Sequence, residues 1–282
     1  MPPIQAVKGC VVHGPWAGAQ LSRHVRVLIN PANDALTGPK RPVFPRGGPV
    51  PPPTPSGLET SVAGWGGMEA DVNMLYPAQA VDGLVHLQGG APLREALIAA
   101  APVLEERKHG EHLRCQVGQA VLTSGPAGAC SSGPSGLPFD AIVHTVPPFW
   151  PRGADQRDPE ARSEWERALL GCYAESFRAA LSFYSSHRKT VGDSSNSAAT
   201  GLAIATPVLG TGARGAPFAP AAQVLAAAAV EHFSAENSAT DVAATTLRVV
   251  VHDASLNSEL IAVKRALREA ATAVGVATEA YR

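Results

Sequence analysis

The residues most suited to chemistry lie near the middle of the second half of the chain, where Val208 and Leu209 lead into Gly210, Thr211, Gly212, Ala213, Arg214 and Gly215. A β-branched run precedes them and a helical pattern opens near Pro217. Glycines let successive backbone N–H groups converge on one anion without a side chain in the way. A helix N-terminus directly after them adds partial positive charge, and Pro is favoured in that first turn because its missing donor would be orphaned anyway. The chemistry this favours is capture of a diphosphate. Gly210, Gly212 and Gly215 also spell GxGxxG, the fingerprint of dinucleotide oxidoreductases. That fingerprint belongs to an early βαβ unit and needs an acidic residue about 20 positions on, ending the next strand. Glu231 and Glu236 instead fall on or just after the helix. A plain β–α turn would need only one glycine.

Two other groupings carry polar side chains at suggestive spacing. A strand over residues 25–30 ends in Asn30-Pro31-Ala32-Asn33, whose amides can serve sugar hydroxyls or simply make a turn. Further on, Asp82 and His86 stand four apart in Val81-Asp82-Gly83-Leu84-Val85-His86 and share a face if the segment is helical. At a helix start the dipole would hold Asp82 ionised. The blander readings are a helix cap for Asp82 and a core position for His86.

These groups need a scaffold, and the apolar pattern supplies one. Runs at 25–30, 119–123, 141–146, 202–207 and 247–252 are β-branched, short and bounded by turn residues, so they read as buried strands. Helical spacing occupies 92–107, 160–184, 218–233 and 256–274. Strands alternating with helices imply a mixed, mostly parallel sheet covered on both faces, an α/β/α sandwich of three layers. Segments 37–79, 124–138 and 185–200 read as surface insertions and loops on a single domain spanning 1–282, since none separates two halves that could each form a core.

Composition narrows the function classes. A net charge of −1 argues against a dedicated nucleic-acid binder. No stretch approaches the roughly 20 apolar residues that span a bilayer. The four cysteines, Cys10, Cys115, Cys130 and Cys172, have no zinc-type spacing, so neither a metal nor a cofactor is expected. Lys8, Arg23 and Arg26 precede the first acidic residue, Asp34, as in a presequence, but Gly9, Gly14, Pro15 and Gly18 would interrupt an amphipathic helix. A cytoplasmic monomer is the expectation, with nucleus and mitochondrion as alternatives.

In order along the chain, Asn30-Pro31-Ala32-Asn33, Val81 to His86, Ile142-Val143-His144-Thr145-Val146 and Pro207 to Gly212 resemble four motifs of the macrodomain family, its NAAN, VDGxIH, IHTVGP and phosphate-loop segments. Residues 118–123 and the pair Cys172-Tyr173 are similar to further family features, and the resemblance runs from about residue 22 to 255. The Asp-containing pair places it nearest the MacroD-type hydrolases. The resemblance implies a macrodomain fold that binds ADP-ribose and removes it from Asp and Glu side chains of mono-ADP-ribosylated proteins, and that deacetylates O-acetyl-ADP-ribose. The alternative within it is a non-catalytic ADP-ribose reader. It further implies that Asn33 orients the distal ribose, that Asp82 positions or activates water or polarises the ribose, and that His86 supports the loop. Asn30, Ala32, Val81 and the segment Gly210, Thr211, Gly212, Ala213, Arg214 and Gly215 would contact ADP-ribose.

Three departures from the family stand out. Asn33 and Asp82 are 49 positions apart (82 − 33), where the family has a short glycine-rich loop. Of the two glycine patches in between, Gly66 and Gly67 lie nearer Asp82 than Gly47 and Gly48 and are the expected neighbours of the distal ribose. Residues 10–30 hold no acidic counterpart of the family's adenine-recognising Asp, and the usual aromatic of the phosphate loop is replaced by Arg214.

Overall fold

In the computed structural model, which describes residues 4–13, 24–39, 80–107, 112–124, 137–151, 158–191, 201–233, 245–251 and 257–273, the β-branched runs form one six-stranded sheet. Its strands are β1 (Ile4–Lys8), β2 (His24–Pro31), β5 (Ala120–Ser124), β6 (Ala141–Thr145), β7 (Gly201–Thr206) and β8 (Thr245–Val251). They lie in the order β1-β8-β7-β2-β6-β5. Every neighbouring pair is parallel except β5 with β6, so the sheet is mixed and mostly parallel, as expected. The short strands β3 (Glu105–Glu106) and β4 (His112–Leu113) pair separately.

Period-two alternation divides each strand between two cores. Val25, Val27 and Ile29 of β2, with Ala141 and Val143 of β6, face the larger cluster. Helices α2 (Pro159–Val191), α3 (Phe218–Phe233) and α4 (Asn257–Ala273) cover it. Leu28, Ile142, Ala205 and Val250 point the other way, toward α1 (Val81–Ala100). Three layers result. The central strand β7 is buried at every position, which is why its sequence is continuously apolar rather than alternating.

The structure changes several expectations. The helix read over 92–107 starts at Val81 and ends at Ala100, because Val85, Leu93 and Leu97 form its buried face while Ile98 and Leu104 are exposed. Gly90 breaks the helical geometry at φ 57°, just before Pro92, and kinks it. The polar segment 185–200 is helical as far as Val191; residues 192–200 fall outside the described ones. Strand β1 was not expected. It is an edge strand with alternating burial, so Gln5 and Lys8 mask its apolar signal. Most of the two other insertions, residues 40–79 and 125–136, lie outside the described residues.

On the larger face, Phe177 is fully buried, with its ring centroid 6.0 Å from Tyr173 and 5.0 Å from Phe233. It joins α2 to α3, the helix that follows the glycine loop. Phe177→Ala is expected to cost about 3–5 kcal/mol of folding stability, through lost burial plus an unfilled cavity. Urea unfolding followed by circular dichroism measures it.

Candidate active site

A cavity of about 630 Å³ opens beyond the carboxyl ends of β2, β7 and β8, where open α/β sheets hold ligands. Pro31, Val81, Asp82 and the segment from Gly210 to Arg214 line it, together with Val11, Phe218, Val250 and Glu259.

The glycine loop is held from within and from below. Gly210 has φ +84°, a conformation that a side chain would strain. The Gly215 amide donates to the Gly212 carbonyl and the Ala216 amide to that of Gly210, both at 2.9 Å, while Thr211 Oγ1 donates to the Val208 carbonyl at 2.8 Å. The Leu209 amide donates to the Tyr173 hydroxyl of α2 at 2.8 Å, a fully buried bond. Nearby, Cys172 Sγ donates to the Val146 carbonyl at 3.2 Å, and burial pushes its thiol up to about 11. The Cys-Tyr pair thus clamps the loops after both β6 and β7. None of these bonds uses the amides of Gly210 to Arg214, residues that line the cavity.

Asp82 sits in the first turn of α1 and is 5% exposed. Its Oδ1 accepts 2.7 Å from Asn30 Nδ2, and His86 Nε2 lies 3.5 Å from the same oxygen. The helix dipole alone would hold the carboxyl low. Burial outweighs it and raises Asp82 above the ordinary carboxylate range, opposed in decreasing order by His86, the Asn30 hydrogen bond and Arg214. The dipole invoked from the sequence is thus not the dominant influence on Asp82.

Behind Asn30 the chain of polar groups continues. Strand register pairs Asn30 with His144, and alternation turns both toward α1. Asn30 Nδ2 also approaches His144 Nδ1 at 3.1 Å, and His144 Nε2 lies 3.0 Å from Thr123 Oγ1. Asn30 and His144 are completely buried. Burial pushes the His144 imidazole down to about 3, with His86 adding to the shift, so the ring is neutral.

The remaining expected residues divide. Asn33 binds its own loop, its Nδ2 donating to the Gly38 carbonyl at 2.7 Å and its Oδ1 accepting from the Thr37 amide at 3.1 Å. His86 packs against that same loop. A Cβ on Gly38, whose φ is +76°, would meet the His86 ring at 2.9 Å. Ala32 is buried, and its carbonyl lies 3.5 Å from Arg214 Nη2. The Arg214 guanidinium stacks on Phe149, 4.1 Å from the ring centroid, rather than pointing to solvent. Gly66 and Gly67 lie outside the described residues. Among the described residues no group of three or more His, Cys, Asp or Glu is placed to hold a metal, and no helix is long and apolar enough to cross a membrane.

Sequence reasoning missed His144 and Thr123 as members of the site, along with Phe149, Phe218 and Glu259. The register of β2 against β6 held the signal for His144, since two polar residues on adjacent buried strands must find each other.

A glycine loop and a buried carboxylate line one cleft at the strand ends of this three-layer α/β domain. The profile of the Macro domain family matches residues 72–225, more than half of the chain, and the chain belongs to that family. It is 32% identical over 145 residues to an O-acetyl-ADP-ribose deacetylase of Salmonella typhimurium, covering 51% of this chain and 58% of that protein. It is 31% identical over 93 residues to O-acetyl-ADP-ribose deacetylase 2 of Pantoea vagans, covering 33% and 42% respectively. The chain therefore spans about half the length of these curated relatives. The Oceanobacillus iheyensis macrodomain solved with ADP shares 19% identity over 94% of this chain and 89% of its own, with a TM-score of 0.49.

Two outcomes check this geometry. Tyr173→Phe leaves the Leu209 amide buried without its acceptor, so a loss of about 1–3 kcal/mol in urea unfolding is expected, with an unchanged denaturant slope. The second concerns pH. His144 has a folded-state pKa of about 3 against 6.5 when unperturbed, so the unfolded chain binds the extra proton. Its contribution to stability is complete above pH about 6.5 and is lost as pH falls toward 3, at up to about 1.4 kcal/mol per unit. Raised Asp82 acts with the opposite sign at the acid end. The difference in stability between wild type and His144→Gln should therefore shift against wild type as pH drops below 6.5. Parallel unfolding curves at several pH values measure it.

Proposed function

We propose that the chain is a MacroD-type hydrolase that binds ADP-ribose in this cleft and cleaves its esters. The substrates are O-acetyl-ADP-ribose and the ester joining ADP-ribose to an Asp or Glu side chain of a modified protein. The observation that carries the reading is that buried Asp82 and the segment from Gly210 to Arg214 line the same cavity. Strand order supports the length and polarity of the ligand. The loop after β7 lies between β8 and β1 on one side and β2 on the other. A diphosphate on the loop amides would extend one nucleoside toward the apolar wall of Val11, Phe218 and Val250, and the distal ribose toward Asp82. The names of the curated relatives point to the same ester chemistry.

Hydrolysis then needs a positioned water and a base. Asp82 in its ionised form accepts a proton as the water oxygen attacks the ester carbonyl carbon. The bond from that carbon to the ribose oxygen breaks, the ribose oxygen takes the proton held by Asp82, and the carboxylic acid departs with the carboxylate regenerated. A carboxylate with weakened hydration and a raised pKa is a stronger base than one on the surface, and the acid limb of activity should lie above the ordinary carboxylate range. A reader without catalysis is the second reading, and one observation favours it: the Asn33 amide is tied to Thr37 and Gly38.

Calorimetric titration with ADP-ribose and turnover of both esters separate these. The expected result is binding by wild type, with Asp82→Asn lowering kcat by about 10²–10⁴ while the ADP-ribose Kd stays within a few-fold. Turnover that survives in Asp82→Asn removes Asp82 from the mechanism. Tight binding with no turnover of either ester establishes the reader instead.

A further inference from the structure

The orientation of Asp82 depends on an amide whose own orientation has to be chosen. Asn30 presents a donor end and an acceptor end of nearly equal shape. Its Nδ2 donates to Asp82 Oδ1 at 2.7 Å and points at His144 Nδ1 at 3.1 Å, while its Oδ1 has no hydrogen-bond partner among the described residues. The opposite orientation would set Oδ1 against the carboxylate oxygen and, on the other side, against the imidazole nitrogen. Which end faces Asp82 thus turns on whether His144 Nδ1 carries a lone pair or a proton. The neutral ring carries a single proton, and with Thr123 Oγ1 3.0 Å from Nε2 to accept it there, Nδ1 is left bare toward the Asn30 amide.

We propose that His144 is a positioning residue for the reaction: its bare Nδ1 fixes the Asn30 amide so that Nδ2 is donated to Asp82, and Thr123 holds the tautomer that keeps Nδ1 bare. The proposal rests on Asp82 being the working carboxylate. A core histidine serving only to fill space would not need a donor held at one ring nitrogen and a hydroxyl at the other. The other groups facing Asp82 are His86 from α1 and Arg214 from the loop after β7, and His86 also faces His144. Arg214 is untouched by changes at positions 144 and 123, and Thr123→Val also leaves both His86 and the His144 ring in place, so that variant isolates the amide.

Three variants test it. His144→Leu removes the acceptor, Thr123→Val removes the hydroxyl that sets the tautomer while keeping side-chain volume, and His144→Gln restores an acceptor oxygen. His144→Leu and Thr123→Val should each lower kcat about tenfold, the loss of one hydrogen bond to a charged group, with KM and the ADP-ribose Kd within about twofold. In both, the Asp82 carboxyl, followed by carbon-13 NMR titration, should ionise at higher pH than in wild type, because a donor that lowers it is lost. His144→Gln should recover most of both properties. Nitrogen-15 NMR of the wild-type ring should show Nε2 protonated and Nδ1 bare. A protonated Nδ1, an unmoved Asp82 titration in both disrupting variants, or affinity falling in step with kcat overturns the proposal. If the chain turns over no ester, the hydrolase reading fails alone, since ring tautomer and Asp82 titration still decide whether His144 orients the amide.

Discussion

A carboxylate taken out of water survives only where something donates to it, and Asn30 is that donor for Asp82. The bond joins the end of β2 to the first turn of α1, residues 52 apart in sequence. It therefore fixes the entry of α1 onto the sheet as well as the acid of the cleft. Leaving Asp82 buried without it would cost several kcal/mol, so the geometry of the site and the docking of the helix stand or fall together. The neutrality of His144 belongs to the same constraint. Burial at that depth disfavours the charged imidazole, with His86 adding to the effect, and the ring stays neutral.

The opposite wall of the cleft obeys a different logic. The loop after β7 contains no charged group apart from Arg214, whose guanidinium is engaged with Phe149 and the Ala32 carbonyl. Its electrostatics come from backbone amides held in shape by Gly210, by the loop's own turns, and by Tyr173 from beneath. Arg214 links the phosphate side to the segment following β2, and so ties the two walls to each other. Rigidity on the glycine-loop wall and a buried acid on the other is the kind of arrangement that electrostatic preorganisation calls for.

The legible part of this chain was whatever local pattern determines. The β-branched runs that became β2, β6, β7 and β8 were readable because parallel strands buried on both faces are continuously apolar. The glycine loop was readable because positive φ and close anion approach both demand the same residue type. Edge strand β1 was not, since only Ile4 and Ala6 are buried and Gln5 and Lys8 dilute the signal. The start of α1 was obscured by Gly83, Gly89 and Gly90, which weaken helical propensity, and Gly90 does break the geometry. The acid was found by type and spacing, whereas its pKa direction was not. Helix position suggests a low value, and only the packing of β2, β6 and α1 around it reveals the desolvation that reverses the sign.

His144 and Thr123 were out of reach for a related reason: their role exists only in the register of β2, β6 and β5. The same reasoning explains how Asn33 and Asp82 tolerate a separation of 49 positions (82 − 33) where the resemblance implies a short loop. Closing a flexible loop grows dearer only with the logarithm of its length, about 0.6 kcal/mol per doubling, so two or so doublings add on the order of 1 kcal/mol. Both anchors are held independently of that loop. The end of β2 is paired with β6 on one side and β7 on the other, and Val85, Leu93 and Leu97 dock α1 on the sheet. With the anchors fixed, the Asn30–Asp82 bond rests on strand pairing and helix packing rather than on the length of chain between them.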